Sequence, residues 1–251
     1  MKQEIRAYLD YLRLDKRVTE RTLKNYESTL TQFARSHQAL TERTVKTFLR
    51  GYDHAPTSNV LLTRLRGFAE FLGASLGNIP QAKEESKDPK ALNSVELVSL
   101  ITEATRLDSS SGLAISLLGH TGLRIHEFFN LKREDLQTRE GVTYLAIFGK
   151  GRKWRDVPLN ATALSAFAQI EWPFPVYEKK FRIILKQAGL NAGLSVKCHP
   201  HLLRASCASI LLNERNADSV KVAKILGWEK VDTLTKHYYK ASLATLASVM
   251  A

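Results

Sequence analysis

Six residues of this 251-residue chain have side chains that suit chemistry on a phosphate: two arginines, a lysine, a histidine and two adjacent tyrosines. They are Arg124 in T-G-L-R-I-H-E, Lys150 in G-K-G, His201 and Arg204 in P-H-L-L-R, and Tyr238 and Tyr239 in T-K-H-Y-Y-K. Guanidinium groups hold phosphate oxygens through paired, charged N–H donors. A phenol attacks phosphorus once its proton has been removed. These residue types predict phosphoryl transfer.

The apolar segment from Ser109 to Leu131 is typical of buried helix, with a bend at Gly119 and Gly122. Arg124 is therefore expected at the start of a helix, with Glu127 one turn later. A charge in so apolar a segment must be paired or functional. A purely structural Arg124–Glu127 ion pair is the alternative interpretation.

His201 and Arg204 are three residues apart, so they share one face of the helix that Pro200 is expected to begin. The stretch V-T-Y-L-A-I-F at 142–148 has strand composition, and W-R-D-V-P-L is its return strand. Lys150 is therefore expected at a hairpin tip, from which its side chain could reach a neighbouring site. Most lysines in glycine turns, however, are solvated turn residues, so this position alone does not indicate a function.

Other interpretations of these residues stay open at this point. Cys198, His199 and His201 resemble metal ligands, but a fourth ligand is missing, so we expect no metal site. The two tyrosines could be core aromatics. Trp228, which follows Gly227, could be a packing residue.

Helical periodicity predicts four short amphipathic helices with basic flanks between residues 1 and 74. Residues 75–91 replace this periodicity with Gly, Pro and charge, which indicates a linker. The second domain, residues 92–251, opens with Asn93 and Glu96 at capping-box spacing. Asp218 and Gly227 are expected to begin and end a later helix. The fold class is therefore mainly α with a small antiparallel β-hairpin.

The formal net charge of +12 favours a polyanionic partner, most simply nucleic acid. The two cysteines have no paired spacing and are expected to be reduced. The first residues lack an apolar signal core, and no apolar run approaches the ~18 residues of a membrane span. We therefore expect a soluble, cytoplasmic protein.

The motifs, in their order and rough spacing, resemble the catalytic domain of tyrosine recombinases, the phage integrase family. They are T-G-L-R-I-H-E, G-K-G-R-K-W-R-D-V-P-L, P-H-L-L-R, L-G-W and T-K-H-Y-Y-K, between about residues 90 and 245. The preceding helical module resembles the family's core-binding domain. The size resembles that of simple Xer-type recombinases.

The resemblance implies a role for each candidate. Arg124 and Arg204 would bind the scissile phosphate, Lys150 would protonate the leaving oxygen, and His201 would assist the nucleophile. Trp228 occupies a position that is His in most members and would pack against the site. The nucleophile would be Tyr238, which fits T-x-x-Y-x-[KH], with Tyr239 as the alternative because the interval from Trp228 is one residue longer than usual.

The function so implied is site-specific DNA recombination through a 3′-phosphotyrosine, in integration or excision of a mobile element or in resolution of dimers. Neither ATP nor a metal or other cofactor would be needed. A type IB topoisomerase, a telomere resolvase and a non-catalytic DNA-binding protein are the alternatives. The expected partners are double-stranded DNA and three further copies in a homotetramer, with the apolar C-terminal segment docked on a neighbouring protomer. The expected place of action is the nucleoid.

Overall fold

The computed structural model describes residues 1–84, 90–149 and 153–239. The chain divides into two compact units, Met1–Lys87 and Asp88–Ala251. The first unit contains α1 (Lys2–Leu14), α2 (Glu20–Ser36), α3 (Glu42–Leu49) and α4 (Ala55–Phe71). These are the four helices that the sequence predicts, and their apolar faces enclose a core that includes Leu30, Phe33, Val45, Leu65 and Phe68.

The predicted linker includes the point at which the two units divide. Its first residues nevertheless belong to the first unit, because Leu76 and Ile79 are buried in that unit's core. Asn59 of α4 also exchanges hydrogen bonds with the backbone of Ala82. The assignment of 1–74, 75–91 and 92–251 to a DNA-binding domain, a linker and a catalytic domain stays a prediction.

The second unit begins with α5 (Ser94–Leu107) and α6 (Ser109–Thr121). The Asn93–Glu96 capping box of α5 is present. The predicted bend occurs only at Gly122, which ends α6 with a φ of 63°, whereas Gly119 lies within the helix. The short helix α7 (Ile125–Phe129) follows, and Arg124 is its N-cap residue.

A three-stranded antiparallel sheet comes next, in the order β1 (Leu136–Arg139), β2 (Val142–Phe148) and β3 (Trp154–Pro158). The predicted hairpin is β2 and β3, and β1 was not predicted. Leu145 pairs with Val157, and both are buried. Because side chains alternate along a strand, Arg155 faces the same side of β3 as Val157.

The remaining elements are α8 (Ala161–Gln169), α9 (Glu178–Asn191), α10 (Pro200–Ser209), α11 (Ser219–Leu226) and α12 (Val231–Tyr238). A π-helical turn at Ile210–Glu214 continues α10. As predicted, Pro200 begins α10, Asp218 caps α11, and Gly227 ends it with a φ of 67°. The mainly helical fold class is thus confirmed. Among the described residues, no helix is both long and apolar enough to span a bilayer.

Candidate active site

Three buried or partly buried arginines of the second unit meet at the C-terminal end of α11. Three arginines from three different elements donate hydrogen bonds to three successive backbone carbonyls. Arg155 Nε donates to Ile225 O at 3.0 Å, Arg204 Nη2 to Leu226 O at 2.5 Å, and Arg124 Nη2 to Gly227 O at 3.2 Å. The carbonyl end of a helix carries partial negative charge, which stabilises this concentration of positive charge.

Glu127 is the carboxylate that compensates these cations. It accepts hydrogen bonds from Arg155 Nη1 and Nη2 at 2.9 and 2.7 Å, and from Arg124 Nη1 and the Arg124 backbone N–H at 3.0 and 2.7 Å. Its side chain is only 1% exposed. Burial alone would raise the pKa of Glu127, but the hydrogen bonds from Arg155 and Arg124, together with the charge of Arg155, lower it to about 2. The Arg124–Glu127 ion pair is therefore present, but Glu127 forms an ion pair with Arg155 as well.

Arg204 is almost completely buried, with 2% of its surface exposed. Its Nη1 donates to Gly122 O at 2.6 Å, so it joins the end of α6 to the end of α11. Burial and the nearby charge of Arg124 lower its pKa to about 10, and it therefore stays protonated at neutral pH. Such a guanidinium is a fixed positive charge in a region that excludes water.

Tyr238 and Trp228 form a stack against Arg204. The Arg204 Cζ lies 4.9 Å from the centroid of the Trp228 ring, a cation–π contact. The Trp228 and Tyr238 rings stack with centroids 5.4 Å apart and planes 14° apart. Burial raises the pKa of Tyr238, and the positive charge of Arg204 counteracts part of that rise. Of the two candidate tyrosines, Tyr238 is thus the one that is buried against Trp228 and influenced by the charge of Arg204, whereas Tyr239 is 42% exposed.

His201 lies in the first turn of α10, one turn before Arg204. Its ring lies parallel to that of His199 with centroids 6.5 Å apart. Partial burial, followed by the charges of Arg204, His199 and Arg124, lowers the pKa of His201. The imidazole is therefore neutral near pH 7, which is the state that accepts a proton.

A groove of ≈ 830 Å³ opens beside this cluster. Arg124, Arg155 and Trp228 line it together with the end of β2 and the start of β3. Three exposed lysines add positive charge to its walls: Lys153, Lys221 and Lys224. Asp156 and Glu229 line the groove as well, so its basic groups outnumber its acidic ones, a balance that favours an anionic ligand.

The structure thus brings Arg124, Arg204, Trp228 and Tyr238 together, with His201 close enough for its pKa to respond to both arginines. The predicted residue Lys150 lies outside the described residues. Next to it, the Gly149 N–H donates to Lys153 O at 2.9 Å.

Sequence reasoning missed Arg155, the second partner of Glu127. The alternation along W-R-D-V-P could have revealed it, because a charged residue two positions from a buried valine must face inward with it. Asn213, which donates to the backbone carbonyl of Tyr238 at 2.8 Å, was missed as well. No sequence signal marks Asn213, because its position depends on the π-helical turn.

With this geometry in place, comparison with known proteins identifies the class. The sequence profile described as "Phage integrase family" matches residues 90–171 and 174–244, and the chain belongs to this family. The match covers each described element of the arginine cluster, from α7 to α12.

The chain is similar over nearly its whole length to curated tyrosine recombinases. It is 30% identical to the tyrosine recombinase XerC of Halalkalibacterium halodurans, over 92% of this chain and 90% of that protein. It is 25% identical to the tyrosine recombinase XerD of Rickettsia conorii, over 95% of this chain and 97% of that protein.

Two solved structures share the fold at low identity. XerH site-specific recombinase bound to a palindromic difH substrate, in a post-cleavage complex, superimposes with a TM-score of 0.74 at 20% identity, over 100% of this chain and 85% of that one. A lambda integrase tetramer bound to a Holliday junction gives a TM-score of 0.77 at 19% identity, over 95% of this chain and 77% of that one.

Proposed function

We propose that the protein is a site-specific DNA recombinase, a tyrosine-type strand transferase that cuts and rejoins DNA through a 3′-phosphotyrosine. The observation that carries this proposal is the stack of Tyr238 on Trp228 and of Trp228 on Arg204, inside a cluster of arginines that faces a basic groove. Family membership and the similarity to Xer recombinases support the same activity.

In the proposed cleavage step, the Tyr238 oxygen forms a bond to the scissile phosphorus while the bond from phosphorus to the 5′-oxygen breaks. The phenol proton passes to His201, whose lowered pKa keeps its imidazole neutral and able to accept it. The leaving 5′-oxygen takes a proton from Lys150. A 5′-hydroxyl of a second strand then attacks the phosphotyrosine, and the same steps in reverse rejoin the DNA and release Tyr238.

Arg124 and Arg204 would stabilise the charge that develops on the non-bridging oxygens. Each guanidinium has five N–H donors, and the cluster anchors Arg204 through Nη1 and Nη2 and Arg124 through Nη1 and Nη2. The arginines are therefore oriented before substrate arrives, so little reorganisation is needed at the moment of reaction.

The nucleophile is proposed to be Tyr238, with Tyr239 as the alternative. Tyr238 is next to Arg204, whose charge lowers the free energy of a phenolate, and Asn213 holds its backbone carbonyl. Tyr239 lies at the end of α12 and is exposed.

The partner is double-stranded DNA, which the net charge of +12 and the basic groove would attract. We further propose a homotetramer on two sites, since the lambda integrase structure is a tetramer on a Holliday junction. The C-terminal segment proposed to join protomers, residues 240–251, lies outside the described residues. Such an enzyme would work on DNA in the cytoplasm, at the nucleoid.

Both integration or excision of a mobile element and resolution of dimers fit this chemistry. The alternatives of a type IB topoisomerase, a telomere resolvase or a non-catalytic binding protein are not favoured, because the relatives and structures compared above are recombinases and an integrase.

The proposal is tested by a covalent trap. A duplex is first selected for binding from a pool with a randomised core. Versions of it are then nicked close to each candidate scissile phosphate, so that the released fragment diffuses away and rejoining is blocked. Wild type and Tyr239→Phe should form an adduct that survives denaturing electrophoresis, and Tyr238→Phe should not. An adduct in Tyr238→Phe but not in Tyr239→Phe would assign the nucleophile to Tyr239. Absence of an adduct with wild type on every nicked version would contradict the proposal that the protein is a strand transferase.

A second measurement tests the DNA-binding groove. The affinity for a labelled random-sequence duplex should fall linearly with salt on logarithmic axes. Replacing Lys224 in the groove by Gln should reduce the slope by about 1. Lys132, which is exposed and lies outside the groove beside Glu134, is the matched control, and Lys132→Gln should leave the slope unchanged. Affinity that does not respond to salt would argue against recognition of the phosphate backbone.

A further inference from the structure

Arg155 is the most extensively bonded arginine of the cluster, and its side chain, which lines the groove, is only 10% exposed. All three nitrogens of its guanidinium donate hydrogen bonds: Nη1 and Nη2 form a bidentate ion pair with Glu127, and Nε donates to Ile225 O. It therefore ties β3 to α7 and to the end of α11. A planar guanidinium can make these three bonds at once, whereas a lysine cannot.

The carboxylate that Arg155 holds is the same one that orients Arg124. Glu127 Oε1 accepts from Arg155 Nη1 at 2.9 Å and from Arg124 Nη1 at 3.0 Å, while Oε2 accepts from Arg155 Nη2 and from the Arg124 backbone N–H, both at 2.7 Å. Without Arg155, Glu127 would lose two of its four hydrogen bonds and would be held only by the two from Arg124. One of the two anchors of the Arg124 side chain would then be a less constrained carboxylate.

Two glycines show how closely Arg155 is enclosed. A Cβ added at Gly149 would lie 2.9 Å from Arg155 Nη1, and one added at Gly227 would lie 3.0 Å from Arg155 Cδ. The guanidinium is therefore packed between the end of β2 and the end of α11. Because close-packed interiors do not deform freely, a guanidinium enclosed in this way restricts where the Glu127 carboxylate can lie.

We propose that Arg155 is a positioning residue for the phosphate-binding arginine Arg124, acting through Glu127 without touching the DNA. This inference rests on the proposed strand-transfer function. It predicts that loss of Arg155 slows phosphotyrosine formation by misplacing one guanidinium. A displacement of about 1 Å costs on the order of 100-fold in rate.

The experiment compares three nicked substrates that differ at one scissile group: the normal phosphodiester, a methylphosphonate and a 5′-bridging phosphorothiolate. The methylphosphonate is uncharged, so it needs less positive charge from the arginines. The phosphorothiolate releases a thiolate, so it needs no proton from the acid. Rates of covalent adduct formation are measured for wild type, Arg155→Lys and Arg155→Gln.

For both variants we expect a loss of about 100-fold on the phosphodiester, most of that loss relieved on the methylphosphonate, and the full loss kept on the phosphorothiolate. The control is Arg139→Gln, which removes an exposed ion pair to Asp156 of the same sheet and should leave all three rates unchanged.

Misfolding is separated from misplacement by a second variant. Because removing one partner of a buried ion pair leaves the other uncompensated, Arg155→Gln is combined with Glu127→Gln, which removes both charges. Duplex affinity and thermal unfolding are followed for each protein. The double variant should lose no more rate than the more strongly affected single variant, because both changes disrupt the same Arg155–Glu127–Arg124 network.

Equal losses on all three substrates would overturn the inference and leave Arg155 as a support of the fold. Relief on the phosphorothiolate alone would also overturn it and assign Arg155 to delivery of the proton. Absence of an adduct with wild type on the phosphodiester would instead contradict the proposed function, so the two failures are distinguishable.

Discussion

Replacing Glu127 by Gln tests how much the arginine cluster depends on the buried carboxylate of this residue. The change keeps the size of the side chain but removes the charge, and its amide would place N–H donors against the N–H donors of Arg155 and Arg124. The pKa of Glu127 is lowered from 4.5 to about 2 in the folded protein. Since one pKa unit corresponds to about 1.4 kcal/mol, the ionised carboxylate contributes roughly 3 kcal/mol to stability at neutral pH.

The sign of the pH dependence follows from the direction of this shift. Because the folded-state pKa is the lower one, the contribution is complete above pH 4.5 and is lost as the pH falls toward about 2. Glu127→Gln should therefore be less stable than wild type by roughly 3 kcal/mol at neutral pH, and this difference should shrink as the pH falls from 4.5 toward about 2.

Urea unfolding followed by tryptophan fluorescence measures this directly, because Trp154, Trp172 and Trp228 all lie in the second unit. Glu134→Gln, at an exposed glutamate of the same unit, is the matched control and should be indistinguishable from wild type. A stability difference for Glu127→Gln that stays constant between neutral and acidic pH would refute the reasoning, since the loss would then come from shape and not from charge.

Three further changes have definite expected outcomes. Gly122→Ala should lower the free energy of unfolding more than Gly141→Ala: both sites have positive φ, which costs about 1 kcal/mol, but only at Gly122 would the new Cβ lie 2.3 Å from a buried leucine side chain. Urea unfolding compares the two, and equal losses would count against the steric argument. Asn213→Ala should slow adduct formation several-fold at unchanged duplex affinity, since a hydrogen bond worth about 1 kcal/mol no longer holds the carbonyl of Tyr238. An unchanged rate would show that Asn213 does not contribute to the reaction. Trp228→Ala should slow adduct formation far more than Trp228→Phe, because an aromatic ring is needed against Tyr238; equal rates would show that the stack has no role.

The elements that carry local signals could be predicted from the sequence. Asn93 and Glu96 predicted the start of α5, and Asp218 and Gly227 predicted both ends of α11, because caps depend on a few neighbouring residues. The strand composition of V-T-Y-L-A-I-F predicted β2. The candidates Arg124, Arg204, Trp228 and Tyr238 were recognisable from their motifs, and their proximity is visible only in the folded chain.

What could not be predicted depends on tertiary contacts. The carbonyls of Ile225, Leu226 and Gly227 accept hydrogen bonds from arginines that are 70, 22 and 103 positions away in the chain. Every residue has a backbone carbonyl, so the sequence does not indicate which ones act as acceptors. Strand β1 has a largely exposed surface, so the apolar alternation that marks a half-buried strand is missing. Helix α12 is a polar segment whose buried Leu234 packs with residues of α10 and α11.

The use of main-chain oxygens to anchor the three guanidinium groups determines which changes the site can survive. Exchanging the side chains of residues 225 and 226 for others of similar volume removes none of the acceptors, so this turn is free to diverge in sequence while the cations stay in place. A change that redirects the backbone there, such as a residue unable to follow Gly227 into its left-handed conformation, would displace all three cations at once. The site should thus tolerate side-chain substitutions at residues 225 and 226 but not a change in the backbone conformation of Gly227.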